Sequence, residues 1–320
     1  MREAFIDTGD VRLRAMIEGD GPLVLMVHGF PESWYSWRHQ IGPVAAAGFT
    51  ACAIDVRGYG GSDKPQPVAA YAMERMIGDL VGVADALSPG APAILVGHDW
   101  GAPIVWNLAL VRPDRFRAVA ALSIPYQGVS PVPYDELFAA AFTAKNLFFY
   151  QAYFQAEGVA EAELEADVRG ALRRFYYMIS GDAPAGSWPA HKTADATLLE
   201  GMIDPAVFPP WLTDADLDYY VGEFERSGFR GPLNRYRNHR RDWEYLQPYK
   251  DRRIEQPALF IGGTRDPAFS MIGRHDPIEV MRRHVPDLRG AHMLEGCGHW
   301  TQQERPGEVN NLLLEWLRAL

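Results

Sequence analysis

The sequence predicts an α/β protein, with a mostly parallel, eight-stranded sheet flanked by helices and a helical segment inserted late in the chain. Over the first 125 residues, short apolar runs alternate with longer segments of helical periodicity, which is typical of a parallel sheet covered by helices. Between about Pro125 and Pro257 that alternation stops, and it resumes afterwards. A chain of 320 residues with 48% apolar and 22% charged residues can also bury a large core.

The eight predicted strands are short apolar runs. Ala4–Thr8 and Val11–Ile17 are separated by Gly9-Asp10 and are expected to form an antiparallel hairpin at the sheet edge. The other six are Leu23–His28, Thr50–Asp55, Ala93–Gly97, Ala118–Ile124, Ala258–Gly262 and Ala291–Glu295. Three segments have helical spacing in this part of the chain, namely Ala72–Leu87, Pro103–Val111 and the closing Glu308–Leu320.

The segment between the sixth and seventh strands is predicted to be an α-helical cap. Its clearest helix is Val159–Ile179, which is acidic early and rich in arginine late, as the helix dipole favours. Asp182–Trp211 contains five prolines and has no regular period. We expect residues 1–128 and 251–320 to form the two parts of the core and residues 129–250 to form the cap.

Charge and composition exclude several classes of partner. The chain has 31 Lys and Arg against 41 Asp and Glu, and its net charge of −10 argues against binding to nucleic acid or to an anionic membrane. Neither a signal peptide nor a membrane-spanning run is recognisable. The two cysteines, Cys52 and Cys297, have no metal-ligand spacing. We expect a cytoplasmic monomer or homodimer that uses no metal and no other cofactor.

Asp99 lies at the tip of a predicted strand-to-helix turn, in Gly97-His98-Asp99-Trp100-Gly101. A tight turn with a helix-capping aspartate would have the same pattern. As a nucleophile, a carboxylate that attacks a saturated carbon forms an ester that water can cleave, whereas a serine would leave a stable ether. The motif therefore predicts displacement at a saturated carbon, in an epoxide or alkyl halide, followed by ester hydrolysis.

His299 is the predicted general base for that hydrolysis. It lies in Gly296-Cys297-Gly298-His299-Trp300, a glycine-flanked loop after the last predicted strand. Asp266 follows the preceding strand and could orient the imidazole. A loop aspartate paired with Arg265 would look the same, and Asp276 is a more distant competitor for the role.

The third predicted strand ends in His28-Gly29-Phe30-Pro31-Glu32, a turn that could aim a backbone N–H into the site. We expect the N–H groups of Phe30 and Trp100 to form an oxyanion hole for the tetrahedral intermediate built on Asp99. The substrate pocket is expected to be apolar and lined by Phe30, Trp34 and Trp100.

With these motifs in place, the chain resembles the epoxide hydrolase branch of the α/β-hydrolase fold, namely the bacterial members and the hydrolase domain of the mammalian soluble enzyme. The resemblance covers essentially the whole chain, and the nucleophile, acid and histidine follow the chain order of that fold. The shared strings are His28-Gly29-Phe30-Pro31-Glu32-Ser33-Trp34, Asp55-Val56-Arg57-Gly58-Tyr59-Gly60, Gly97-His98-Asp99-Trp100-Gly101, Tyr153-Phe154-Gln155, Gly158-Val159-Ala160-Glu161, Ser227-Gly228-Phe229-Arg230-Gly231-Pro232-Leu233-Asn234, Tyr236-Arg237-Asn238 and Gly298-His299-Trp300.

The resemblance implies that two cap tyrosines, Tyr150 and Tyr236, bind the epoxide oxygen and protonate it as the ring opens. The residues alone do not distinguish these two from seven other tyrosines between positions 150 and 250. The implied reaction converts an apolar epoxide and water to a vicinal diol. Two departures affect the expected pocket shape: Arg235 precedes Tyr236 where the mammalian domain has an aromatic residue, and Pro267 follows the proposed acid.

Two other functions stay open at this point. A haloalkane dehalogenase would share the aspartate and the adjacent tryptophan, but such enzymes usually have an asparagine at the position of Phe30. Fluoroacetate dehalogenases follow the nucleophile with an arginine, where this chain has Trp100. A non-catalytic small-molecule-binding protein could also have this fold, although all five candidate catalytic residues are present.

Overall fold

The computed structural model describes residues 1–189, 192–271 and 276–320. Within them, eight strands form one sheet in the order β1-β2-β4-β3-β5-β6-β7-β8. The pairs β1/β2 and β2/β4 are antiparallel and the other neighbours are parallel, which confirms the predicted class. The strands are β1 Arg2–Asp7, β2 Arg12–Glu18, β3 Leu23–Val27, β4 Thr50–Ile54, β5 Ala93–His98, β6 Phe116–Leu122, β7 Ala258–Gly263 and β8 Leu288–Leu294.

The predicted strand positions agree with these bounds to within one to three residues. The largest shift is at β8, which begins at Leu288 rather than at Ala291. Its first residues include Arg289, which is exposed because β8 is the last strand in the sheet order. An exposed edge strand has little apolar alternation, so its start is hidden from sequence patterns.

Helices of the core cover the two faces of the sheet. The first three, which precede the insertion, are α1 Arg38–Ala46, α2 Met73–Leu87 and α3 Gly101–Val111. The sequence did not predict α1, because Gly42 and Pro43 interrupt its pattern.

The insertion between β6 and β7 is helical throughout its regular parts. Its helices are α4 Tyr134–Ala141, α5 Tyr150–Tyr153, α6 Val159–Ala166, α7 Val168–Met178, α8 Asp214–Ser227, α9 Arg230–Tyr236 and α10 His239–Leu246. The predicted single helix Val159–Ile179 is wrong: Asp167 leaves helical geometry, with φ −150° and ψ 83°, and its side chain accepts a hydrogen bond from the Gly170 N–H at 2.9 Å. The structure therefore has two helices, α6 and α7, in that stretch.

After β7 the core is completed by four more helices. They are α11 Pro267–Met271, α12 Pro277–His284, α13 Thr301–Glu304 and α14 Pro306–Arg318. None of the helices in the described ranges is both long and apolar enough to cross a membrane.

Two apolar clusters lie on opposite faces of the sheet. Leu25 and Val27 of β3 belong to one cluster and Val24 and Met26 to the other, as the alternation of side chains along a strand requires. The first cluster also contains cap residues such as Tyr236. The cap and one face of the core therefore share a single apolar interior, and the carboxyl ends of the strands lie beneath the cap.

Candidate active site

Asp99 stands on a sharp turn between β5 and α3. Its φ of 49° lies in the left-handed region, which is uncommon for a residue with a side chain. Glycines surround the turn because the backbone is crowded there. A Cβ on Gly29 would overlap the Asp99 carboxylate, and one on Gly97 would overlap the Gly101 carbonyl. These glycines let the Asp99 side chain project from the end of the strand.

The Phe30 backbone contacts the Asp99 carboxylate directly. The Phe30 N–H donates a hydrogen bond to Asp99 Oδ1 at 2.7 Å. Trp100 is the residue before α3. Its backbone N–H belongs to the peptide that directly follows Asp99. Of the two N–H groups expected to form an oxyanion hole, that of Phe30 therefore contacts the Asp99 carboxylate. The role of the Trp100 N–H stays a prediction.

His299 lies between Asp99 and Asp266 and contacts both through its ring nitrogens. Its Nδ1 lies 2.9 Å from Asp266 Oδ2 and its Nε2 lies 3.2 Å from Asp99 Oδ2. The Asp266 side chain is fully buried and also accepts the Ala268 N–H at 2.8 Å. Burial lowers the pKa of His299, but the charges of Asp266 and Asp99 outweigh burial and hold that pKa well above its usual value.

The competing assignments for the orienting carboxylate do not match the structure. Asp276 is the N-cap of α12, where its side chain accepts a hydrogen bond from the Ile278 N–H at 2.9 Å. Arg265 donates to the carbonyl of Ala183 at 2.6 Å rather than pairing with Asp266. Asp266 is thus free of a cation from its neighbour and is available to His299.

Tyr150 and Tyr236 come together above Asp99 although they are 86 positions apart in the chain. Their ring centroids lie 6.0 Å apart, and Tyr236 is 5.6 Å from the ring of Phe30. The Gln151 side-chain amide donates to the Tyr150 hydroxyl at 2.8 Å. Burial, reinforced by the charge of Asp99, raises the pKa of Tyr236, and burial chiefly raises the pKa of Tyr150. Both phenols therefore keep their protons.

Trp34 lies away from this group of residues, contrary to the prediction that it lines the pocket. The backbone N–H of Trp34 donates to Asp55 Oδ1 at 2.9 Å, and the Trp34 ring packs against Tyr35 and Tyr219 with centroid distances of 5.5 and 5.9 Å. A short 3₁₀ helix starts at Trp34 and directs the ring to the cluster on the other face of the sheet. Phe30 and Trp100 do lie beside Asp99 and Tyr236.

A buried carboxylate, Glu32, lies behind the candidate catalytic residues and was not singled out from the sequence. Its oxygens accept hydrogen bonds from the Gly29 N–H at 2.9 Å, from Gln302 at 3.1 Å and from Gln303 at 3.3 Å, and they lie 2.8 Å from His98 Nδ1. Burial alone would raise the pKa of Glu32, but His98 and the backbone lower it to about 2. Glu32 is therefore ionised at any ordinary pH.

His98 joins that carboxylate to His299, the candidate general base. Its Nε2 lies 2.8 Å from the carbonyl oxygen of His299, which also accepts the Ser123 hydroxyl at 2.6 Å. Each ring nitrogen of His98 therefore faces an oxygen that accepts hydrogen bonds, one on the Glu32 carboxylate and one on the His299 backbone. Both Glu32 and His98 stand within the shared strings, but a sequence cannot show which way their side chains point.

The departure at Arg235 changes what lies behind Trp100. The guanidinium is 4.5 Å from the centre of the Trp100 ring and forms a buried ion pair with Asp242. Asp242 also accepts the Met73 N–H at 2.7 Å. Arg235 therefore packs against the outer face of the tryptophan. The other departure, Pro267, begins α11.

No group of three or more potential metal ligands comes together among the described residues. Asp55 and Arg57, which stand in a shared string, form ion pairs outside the site. Asp55 pairs with Arg14 at 2.6 Å, and Arg57 pairs with Asp79 at 2.6 Å.

Several known proteins resemble this chain over nearly its whole length. A family model described as the alpha/beta hydrolase fold matches residues 22–180. Epoxide hydrolase A of Mycobacterium tuberculosis is 44% identical over 99% of this chain and 98% of its own length. Bifunctional epoxide hydrolase 2 of Mus musculus is 39% identical over 97% of this chain and 54% of its own length.

Solved structures agree as well. An epoxide hydrolase from an endophytic Streptomyces has a TM-score of 0.94 and 47% identity, covering 99% of this chain and 95% of that one. Epoxide hydrolase A from Mycobacterium thermoresistibile has a TM-score of 0.91 and 41% identity, covering 100% and 98%. The chain therefore belongs to the epoxide hydrolases, hydrolytic enzymes of the α/β-hydrolase fold.

Proposed function

We propose that this enzyme converts an apolar epoxide and water to a vicinal diol through a covalent ester on Asp99. The observation that carries the proposal is the unbroken set of contacts from the Phe30 N–H through Asp99 and His299 to Asp266, with Tyr150 and Tyr236 above it. Each of the two chemical steps requires one part of this set.

In the first step, a carboxylate oxygen of Asp99 attacks an epoxide carbon. The carbon–oxygen bond of the ring breaks as the ester bond forms, and the departing oxygen takes a proton from Tyr150 or Tyr236. An alkoxide is a poor leaving group, so this proton transfer lowers the barrier. The raised pKa values of the two phenols support the assignment, because both groups enter the reaction protonated.

In the second step, water cleaves the ester. Esterification removes the negative charge of Asp99, one of the causes that raise the pKa of His299, so the protonated imidazole gives its proton to the tyrosinate left by the first step and can accept another. His299 takes that proton from water, and the hydroxide attacks the carbonyl carbon of Asp99. The N–H groups of Phe30 and Trp100 stabilise the resulting oxyanion. The intermediate collapses to the diol and the Asp99 carboxylate, and the proton taken from water leaves His299 protonated, as in the free enzyme.

The test of the reaction class is diol formation from styrene oxide and trans-stilbene oxide, with Asp99→Asn as background. Diol above that background supports the proposal. Halide release from bromoalkanes without diol formation would instead identify a dehalogenase, and no turnover of either compound class would contradict both activities.

The covalent intermediate has a separate test. We expect His299→Gln to accumulate an adduct whose mass equals enzyme plus epoxide, because this variant can form the ester but cannot activate water. Asp99→Asn should form no adduct. Intact-protein mass spectrometry distinguishes the outcomes, and unmodified His299→Gln protein after long incubation would count against the two-step scheme.

A further inference from the structure

Six aromatic side chains form a closed circuit next to Asp99. Neighbouring ring centroids in the circuit are 4.6 to 6.1 Å apart. In order, the six are Tyr150, Phe149, Phe138, His239, Trp100 and Tyr236, and Tyr236 returns to Tyr150 at 6.0 Å. We call the space that they surround the aromatic slot.

Among these six described residues, no ring of the circuit contacts a ring on its opposite side, and ring contacts join only neighbours in the circuit. Trp100, Tyr150 and Phe138 are only half-buried, although other aromatic rings surround each of them.

His239 is the member of the circuit that has a buried side-chain nitrogen without a hydrogen-bond partner. The residue is 6% exposed, and its Nε2 has no hydrogen-bond partner. Burial, helped by the charge of Arg235, lowers the pKa of His239 to about 4. At neutral pH the ring is therefore uncharged, with one donor and one acceptor nitrogen. Proteins rarely bury such a nitrogen unpaired, because it loses its hydrogen bonds to water.

The position of His239 in the circuit suggests what could pair with it. It stands three places from Tyr150 in either direction, at the far side of the aromatic slot from the phenol that would hold the epoxide oxygen. Trp100 and Phe138, its two neighbours, provide apolar surface on either side. An aryl substituent that extends from the epoxide across the slot would bring its distal edge to the imidazole.

We propose that His239 is a specificity-determining residue that hydrogen-bonds a polar group on the aryl arm of the epoxide. This inference rests on the proposed function. The preferred substrates are then aryl epoxides that carry a carbonyl, amide or hydroxyl group at the end of the ring away from the epoxide. Loss of the hydrogen bond raises KM more than it lowers kcat, because the contact is remote from the reacting atoms and is present before and during reaction.

Asp135 offers the competing explanation for the same nitrogen. Its Oδ1 is also buried without a partner, and its charge acts on His239. A water molecule between the two side chains would satisfy both atoms and would make His239 structural. In that case a change at His239 would affect all substrates alike.

The test compares two epoxides of nearly equal shape, 4-acetylstyrene oxide and 4-isopropylstyrene oxide. The ratio of their kcat/KM values is measured for the wild type, for His239→Phe and for His239→Gln, which keeps hydrogen-bonding groups. We expect His239→Phe to lower the ratio about tenfold, mainly through KM, and His239→Gln to restore part of it. Phe138→Leu is the control, since it reshapes the slot for both compounds and should leave the ratio unchanged.

The outcomes separate this inference from the proposed function. If the wild type hydrolyses neither epoxide, the proposed function fails. If the wild type hydrolyses both and His239→Phe leaves the ratio unchanged, His239 does not select substrates. Should His239→Phe not fold, the imidazole ¹⁵N shifts of the wild type can be followed with the two diol products. A response of His239 to the acetyl diol alone supports the proposal, and equal responses overturn it.

Discussion

At the scale of single residues, the charge on Asp99 connects the two steps of the proposed mechanism. In the free enzyme, Asp99 and Asp266 flank the same imidazole at 3.2 and 2.9 Å and raise the pKa of His299. A protonated imidazole cannot activate water. In the proposed mechanism, the base therefore becomes effective only after Asp99 has been alkylated and has lost its charge, which couples activation of the base to formation of the ester.

This coupling predicts a pH dependence. Hydrolysis of the alkyl-enzyme should become faster as the pH rises through the pKa of His299 in the ester, and this pKa should lie below that of His299 in the free enzyme. Rapid-quench measurement of ester decay between pH 5 and 9 gives the first value, and NMR titration of His299 in the free enzyme gives the second. An ester pKa equal to or above the free-enzyme value would contradict the coupling.

Individual site residues differed in how far the sequence could identify them. Asp99, Asp266 and His299 follow strand ends in glycine-rich loops, and parallel strands bring their carboxyl ends to one edge. Tyr150 and Tyr236 lie on separate cap helices, so only the resemblance selected them. Trp34 was misplaced because the direction of a ring on a 3₁₀ helix depends on packing that no local pattern records.

At the scale of elements, the break between α6 and α7 has a definite cause. Asp167 caps α7 through the Gly170 N–H, and a side chain on Gly170 would collide with that carboxylate. Apolar periodicity runs through the break, which is why the sequence predicted one helix. The strands were easier to predict, because buried strands such as β3 are apolar at every position.

Loss of this cap should be measurable. We expect Asp167→Ala to lower the free energy of unfolding by about 1 kcal/mol, because the first turn of α7 loses its side-chain acceptor. Asp167→Asn, which keeps an acceptor oxygen, should lose much less. Urea denaturation of the three proteins gives the comparison, and turnover should be little changed. Equal stability of the alanine and wild-type proteins would show that the cap contributes nothing.

At the scale of the whole molecule, Arg14, whose side chain is 12% exposed, is a cation that joins the core to the cap. Arg14 of β2 contacts Asp55, which follows β4, at 2.6 Å and Glu223 of α8 at 2.9 Å. The two carboxylate side chains are 0% and 4% exposed. The cap is therefore held over the site by an ionic contact in addition to the shared apolar cluster.

Removal of that cation should be costly. We expect Arg14→Met to lower the free energy of unfolding by about 3–5 kcal/mol, because Asp55 is left buried without its cation and Glu223 keeps only the exposed Arg226. Arg283→Met is the matched control, since Arg283 pairs with Glu279 on an exposed helix face and should cost less than about 1 kcal/mol. Chemical denaturation measures both, and similar losses would refute the special role of Arg14.

The place of the insertion also affects how the polypeptide is made. Val119 of β6 pairs with Ala258 of β7, so the whole cap must leave the ribosome before this strand pair can form. At roughly 5–20 residues per second, β6 then waits for its partner for roughly 7–28 s. During that interval the nascent chain presents an unpaired, apolar strand edge, which is a site for misassembly with other chains. Slower translation across the cap should therefore lower the yield of native enzyme in cells, and chaperones that shield such edges should restore it.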